Sequence, residues 1–184
     1  MSGSDRSTAD RLKRGRPYRI AIVAAIIVFM LFAPEMMEGK YMEPTMKDGQ
    51  VFVVSKARYS AKRKSPERDR LVILDKKFSL DAGAEDNIMS RVIGLPGDTV
   101  EITEGKVLVN GEEYTTRNGI RGAAGEVPLT KLEGNQVFLL SDHRGAGDPD
   151  SRDSALGPVD MRKIKGNVLF RIWPLKQIAS MRHR

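Results

Sequence analysis

Arg91-Val92-Ile93-Gly94-Leu95-Pro96-Gly97-Asp98-Thr99-Val100 is the stretch on which the reading of the fold turns. Val92 and Ile93 favour a strand, Pro96-Gly97-Asp98 is turn chemistry, and Thr99-Val100 begins a second strand. Gly94, Pro96 and Gly97 are therefore expected to set a turn after a buried strand. The same grammar extends both ways along the chain. Val51–Val54, Leu71–Leu74, Val100–Ile102, Lys106–Val109 and Gln136–Leu140 are short β-prone runs. They are parted by Lys47-Asp48-Gly49, Glu104-Gly105, Asn110-Gly111 and Glu133-Gly134-Asn135. Glu104-Gly105 and Asn110-Gly111 predict a small meander. Val168–Trp173 reads as a last strand closed by Pro174. Ser55–Arg70, with Lys56, Arg58, Lys62, Arg63, Lys64, Arg68 and Arg70, reads as a solvated basic loop, or alternatively as a patch for anionic lipid or wall polymer. Thr115–Val127 reads as an irregular connection. No helical period is sustained after Pro34, so the fold class is mainly β.

The N-terminus obeys different rules. Arg6, Arg11, Lys13, Arg14, Arg16 and Arg19 precede the apolar run Ile20–Ala33. A basic flank, an apolar segment and then a long polar chain is the pattern of a single-pass protein with its N-terminus inside. The run would be about 21 Å long as a helix, against a hydrocarbon core of about 30 Å. Tyr18 and Arg19 extend it at one face and Met36 and Met37 at the other. Leu31-Phe32-Ala33-Pro34 offers no small-x-small cleavage site, so the segment is expected to stay as an anchor. The resulting organisation is a basic cytoplasmic stretch over 1–19 and a transmembrane helix over 20–37. An extracytoplasmic β domain over 38–176 and a basic tail over 177–184 complete it.

This arrangement accounts locally for the net charge of +7 across 184 residues, which otherwise would suggest nucleic acid. No nucleic-acid partner is expected. The absence of cysteine excludes a disulfide framework and a thiol nucleophile. His143 and His183 are too few and too far apart for a zinc site, so neither a metal nor a cofactor is expected.

Four segments, in order, resemble the type I signal peptidases, serine peptidases of the S26 type, and in particular their short single-anchor Gram-positive form. They are Gly39–Gly49, Arg91–Val100, Ser141–Arg144 followed by Asp150-Ser151-Arg152, and Gly166–Pro174. The resemblance implies coiled antiparallel β-sheets behind one N-terminal transmembrane helix. It also implies a serine nucleophile at position 41 and a general-base lysine at position 90. The chain has Tyr41 and Ser90 there. A lysine serves as base only when burial holds it neutral, and a seryl hydroxyl cannot replace it for a phenol with an ordinary pKa of about 10. A further serine of the family, which supports the lysine, falls at Gly147.

His143 beside Asp142, with Ser141, Ser151 and Ser154 close in sequence, holds the ingredients of a substitute triad, but adjacent residues on a strand point to opposite faces. Asp142, Arg144, Asp150 and Arg152 read better as an ion-pair network bracing the former site. Arg91, Gly94, Pro96, Gly97 and Asp98 complete that structural set. Gly39, Met42, Pro44, Asp142 and Arg144 are expected along the substrate groove. Met36, Met37 and Met42 read either as an apolar lip by the bilayer or as core, and Trp173 as core or membrane-interface packing.

The reading that follows is a non-catalytic, signal-peptidase-like accessory protein on the outer membrane face that binds an extended segment. The resemblance points to a secreted pre-protein or pilin as partner, together with membrane lipid and the sortase machinery of pilus assembly. One alternative is a divergent but active peptidase that removes signal peptides. The other is a salt-sensitive module tethered to membrane or wall through Ser55–Arg70.

Overall fold

The computed structural model describes residues 4–56, 59, 64–75 and 87–181, with only the helical backbone described over 4–17. Arg58, Lys62 and Arg63 of the basic loop, and His183, lie outside the described residues. The chain divides into two compact units, residues 1–33 and 34–184.

The first unit is one helix, α1 (Ser4–Leu31). It starts well before the apolar run, and from Ile20 to Leu31 its large apolar side chains are exposed. Among the described residues, no helix is long and apolar enough to cross a membrane. The helix also ends sooner than the sequence pattern suggests. Phe32–Met36 is a strand, β1, because Pro34 cannot continue a helix and biases the residue before it towards extended backbone. The outer end of the expected anchor, residues 32–37, is therefore extended. Met37 is fully buried whereas Met36 is half exposed, so the two do not form a common apolar lip.

The second unit is built from antiparallel strands. β2 (Val51–Ser55), β3 (Leu71–Leu74), β4 (Met89–Gly94), β9 (Gln136–Leu140), β10 (Val159–Asp160) and β11 (Ile164–Trp173) join β1 in the order β1-β2-β11-β3-β4-β9-β10. The smaller sheet runs β7-β6-β5-β8, from β5 (Thr99–Thr103), β6 (Lys106–Val109), β7 (Glu112–Glu113) and β8 (Val127–Lys131). β11 shifts register against both neighbours, which bends it and lets one long strand serve two curved partners. The segment expected as a basic tail returns to the sheet: β12 (Ala179–Ser180) pairs with β11, and Met181 is buried in the core.

Alternation along β4 divides the core. Ile88 and Val92 point into a cluster with Val72, Val137 and Leu139. Met89 points the other way, towards Leu71, Ile73, Met42, Met46 and Phe52. Ile93 joins a third cluster with Val100, Val107 and Phe138, between the two sheets. Burial of these residues at about 25 cal/mol per Å² is the main stabilising term for the domain.

The opening motif is a strand, turn and strand as expected, but its glycines have different roles. Gly97 carries the turn with φ +92°, which suits a residue without a side chain. Gly94 is still within β4. A Cβ there would lie 2.5 Å from Leu132 Cδ1 and 2.7 Å from Val100 Cγ2, so glycine is needed for the close approach of β4 to the smaller sheet.

Candidate functional site

β4 is the spine of the site. Arg91 is fully buried and presents its fork to Asp142, with Nε donating to Oδ1 at 2.7 Å and Nη2 to Oδ2 at 2.6 Å. Nη1 donates to the Asp69 carbonyl at 2.8 Å, and Nη2 reaches Thr45 Oγ1 at 3.5 Å. One guanidinium thus ties the end of β9, the approach to β3 and the Gly39–Gly49 segment to β4. Asp98 fixes the turn that follows. It accepts from the Leu95 N–H at 2.6 Å, from Arg68 at 2.9 Å and from Asn110 at 2.8 Å. Burial pushes the Asp98 carboxyl up, but the bonds from Asn110 and the Leu95 N–H and the Arg68 charge outweigh it and hold its pKa below the ordinary value. Arg68 also stands 5.7 Å from the Tyr114 ring centroid. Arg70 pairs with Glu67. Two cations of the expected solvated loop are thus structural.

The two positions that the resemblance assigns to the dyad, 41 and 90, are linked through the main chain of Met89. Ile88 gives its carbonyl to the Leu74 N–H, so alternation turns the Met89 N–H away from β3. On that side β9 has already ended: its pairing stops with Leu140 opposite Arg91. The Met89 N–H instead donates to the Tyr41 hydroxyl at 3.3 Å. The Tyr41 carbonyl accepts from the His143 N–H at 3.0 Å, and its ring packs against the Met89 core. Tyr41 therefore bridges the gap between the edge of β4 and the chain after β9. Ser90 lies between Ile88 and Val92 and shares their side of the strand, away from Met89. It is fully buried, and its hydroxyl has no hydrogen-bond partner among the described residues. The Tyr41 phenol thus accepts from an amide, and the Ser90 hydroxyl is turned to the other core.

The substitute triad does not assemble. His143 Nδ1 lies 3.4 Å from Asp148 Oδ1, and no serine hydroxyl is bonded to the ring among the described residues. Ser141 Oγ lies 2.8 Å from Asp148 Oδ2 and 2.9 Å from Asp150 Oδ2. Ser151 is buried and accepts from the Leu139 N–H at 2.9 Å; Ser154 is exposed. Asp150 takes both Nε and Nη2 of Arg152, at 2.9 and 2.7 Å, whereas Arg144, expected in the same ion-pair network, has no carboxylate bonded to it among the described residues. Gly147, at the family's supporting-serine position, adopts φ +81° in the same loop.

The expected groove residues separate. Gly39 lies beside the Tyr41 ring and donates its N–H to Asp48 at 2.9 Å. Pro44 and Thr45 border a shallow pocket with Asn118 and Arg171. Met42 is a core residue, because the turn over residues 41–45 directs it inward, and so does not line a groove. Asp142 is spent on Arg91, and Arg144 is almost wholly buried. Trp173 is half exposed, so it is not core. Sequence reasoning missed Asp69, Asp148 and the Met89 main chain. Only Asp69 left a trace, as an acidic residue between Arg68 and Arg70; its left-handed backbone, φ +66°, aims its carbonyl at Arg91.

The model of the family described as signal peptidase, peptidase S26 matches residues 16–173. The chain is 34% identical over 175 residues to a signal peptidase I of Bacillus licheniformis, with 88% of each chain covered. It is 29% identical over 177 residues to a probable signal peptidase I-2 of Synechocystis, over 92% of this chain and 77% of that one. The similarity thus does not single out the Gram-positive form. A signal peptidase I from Enterococcus faecalis V583, known by crystal structure, overlays with a TM-score of 0.43 at 24% identity, over 56% of this chain and 97% of that one.

Proposed function

The chain belongs to the signal peptidase, peptidase S26 family, and we propose that within it this is a non-cleaving member that binds an extended segment of a secreted partner. One observation carries the reading. The phenol of Tyr41 occupies the outward amide of β4 while Ser90 is buried without a hydrogen-bond partner among the described residues, so neither dyad position carries the group that acyl transfer needs. The surrounding frame, Arg91–Asp142 and the Asp98 turn, is intact. A frame kept without its chemistry suits recognition better than catalysis. An extended segment would add to the β4 edge through main-chain hydrogen bonds, displacing the Tyr41 hydroxyl as it does so.

The proposed setting is the outer membrane face. Its support is the basic N-terminal stretch and the exposed apolar face of α1, Ile20–Leu31, which a hydrocarbon environment would cover. A pilin or other sortase substrate is the partner proposed first, by resemblance to dyad-lacking members of the family. A second reading, an active divergent peptidase, is favoured by relatives named signal peptidase I that match over 88% of the chain. The two separate in one binding experiment: full-length protein in lipid nanodiscs is incubated with a labelled pre-protein and a pilin precursor, and both are analysed by mass. The proposal expects retained, intact partner. A new N-terminus at a small residue would establish the second reading in its place.

A further inference from the structure

Three arginines of the β domain use the same edge. Arg91 offers Nε and Nη2 to Asp142, Arg152 offers them to Asp150, and Arg162 offers them to Asp160. That edge matches the spacing of carboxylate oxygens, so two parallel charge-assisted bonds form together. Arg144 is different. It is 7% exposed, and its Nη1 donates to the Gly122 carbonyl at 3.1 Å. Its Nε and Nη2 are buried and have no acceptor among the described residues.

The acidic groups that act on Arg144 through space cannot turn to it. Asp142 gives both oxygens to Arg91. Asp150 gives Oδ1 to the N–H and Nε of Arg152, and Oδ2 to Arg152 Nη2 and the Ser141 N–H. Burial lowers the Arg144 pKa to about 10 despite Asp142 and Asp150, and the group remains a cation at neutral pH. Its backbone is left-handed, φ +58°, and its carbonyl is clamped by the Ala124 N–H and Arg152 Nη1. A desolvated fork held this firmly without an acceptor among the described residues calls for an external one.

We infer that the Nε/Nη2 edge of Arg144 is a receptor for a carboxylate carried by the bound peptide, either an acidic side chain or a free chain end. This rests on the peptide-binding reading above and adds the class of ligand. The edge is buried, so a carboxylate reaches it only when the residues covering it move. The cavity of about 220 Å³ bordered by Ala124 and Gly147 has Glu126, Asp148 and Asp153 in its wall against the single cation Arg152, and does not favour an anion.

The test uses the full-length protein in nanodiscs with arginine labelled at nitrogen. Sodium acetate is titrated against the arginine Nε–H resonances, with sodium chloride at equal ionic strength and acetamide as controls. Four N-acetylated alanine-based peptides follow: one pair with an internal Glu or Gln and an amidated end, and one with no acidic side chain and a free or amidated end. The inference expects one buried Nε–H resonance to move saturably with acetate and with neither control. It also expects the acidic member of one pair to bind roughly tenfold tighter than its neutral partner, the magnitude of one bidentate charged contact. Whichever pair shows the difference identifies the source of the carboxylate. In Arg144→Lys the preference disappears while neutral peptides still bind; the wild-type comparison stands even where that variant does not fold. Equal affinity for acidic and neutral peptides overturns the inference and leaves the peptide-binding reading in place. A resonance that moves with acetate while no peptide binds leaves the carboxylate site and removes that reading. Movement with chloride as readily as with acetate marks an adventitious ion only and overturns the inference.

Discussion

Asp142→Asn tests whether the Arg91 pair is the brace of the site. The substitution preserves shape and removes one charge. Arg91 then keeps its bond to the Asp69 carbonyl but faces an amide that offers one acceptor where two stood, so one N–H of the fork loses its partner. Both side chains of the pair are wholly inaccessible to solvent, so water cannot compensate the cation. Breaking a buried pair from one side costs about 3–5 kcal/mol. That is a large fraction of a typical domain stability of about 5–15 kcal/mol. At roughly 2–4 °C per kcal/mol for a domain of this size, the melting temperature should fall by roughly 6–20 °C. Urea and thermal unfolding of the full-length protein in detergent, followed by circular dichroism, measure both quantities. Replacing both partners, Arg91→Met with Asp142→Leu, should recover most of the loss, since no buried charge is then stranded. A loss below about 1 kcal/mol for Asp142→Asn, the level of an exposed pair, would refute the brace.

Gly94→Ala should destabilise by about 1–3 kcal/mol, because the added carbon meets Leu132 and Val100 well inside contact distance; equilibrium unfolding measures it, and a neutral result would show that β4 can yield. Asp98 has a depressed pKa when folded, so its contribution to stability is present above the unfolded value of about 3.9 and is lost as pH falls through the folded one. Asp98→Asn should therefore be less stable than wild type at pH 7, with the gap narrowing below about pH 4; a gap independent of pH would argue against this role. Tyr41→Phe removes the acceptor of the Met89 N–H, and amide exchange at Met89 should quicken with a stability loss of about 0.5–1.5 kcal/mol. Unchanged exchange would mean that the phenol does not hold that edge.

Much of this was legible in the sequence because its cues are local. The strand runs and Gly97 set their own conformations, and Arg91-Val92-Ile93-Gly94-Leu95-Pro96-Gly97-Asp98 gives both a spine and a turn. Other features depend on contacts made across the fold. Gly94 looked like a turn glycine, but its constraint comes from Leu132, 38 positions away, which no local pattern encodes. Met42 looked like a groove residue from its neighbours, and the tight turn over residues 41–45 put it in the core. The return of β12 carried little propensity of its own; it is fixed by the burial of Met181 and pairing with β11. Arg144 and Arg152 are equivalent by pattern, and only packing decides that Arg152 is paired with Asp150 while the Nε/Nη2 edge of Arg144 has no acceptor among the described residues.

The central claim is that the site keeps its frame and has lost its chemistry. Signal-peptide cleavage by the full-length protein, set beside Tyr41→Ser/Ser90→Lys, tests this most directly. Position 90 is fully buried, an environment that would hold a lysine neutral as a base must be. The account predicts no cleavage by the native chain and measurable cleavage by the double variant. Cleavage by the native chain would contradict it.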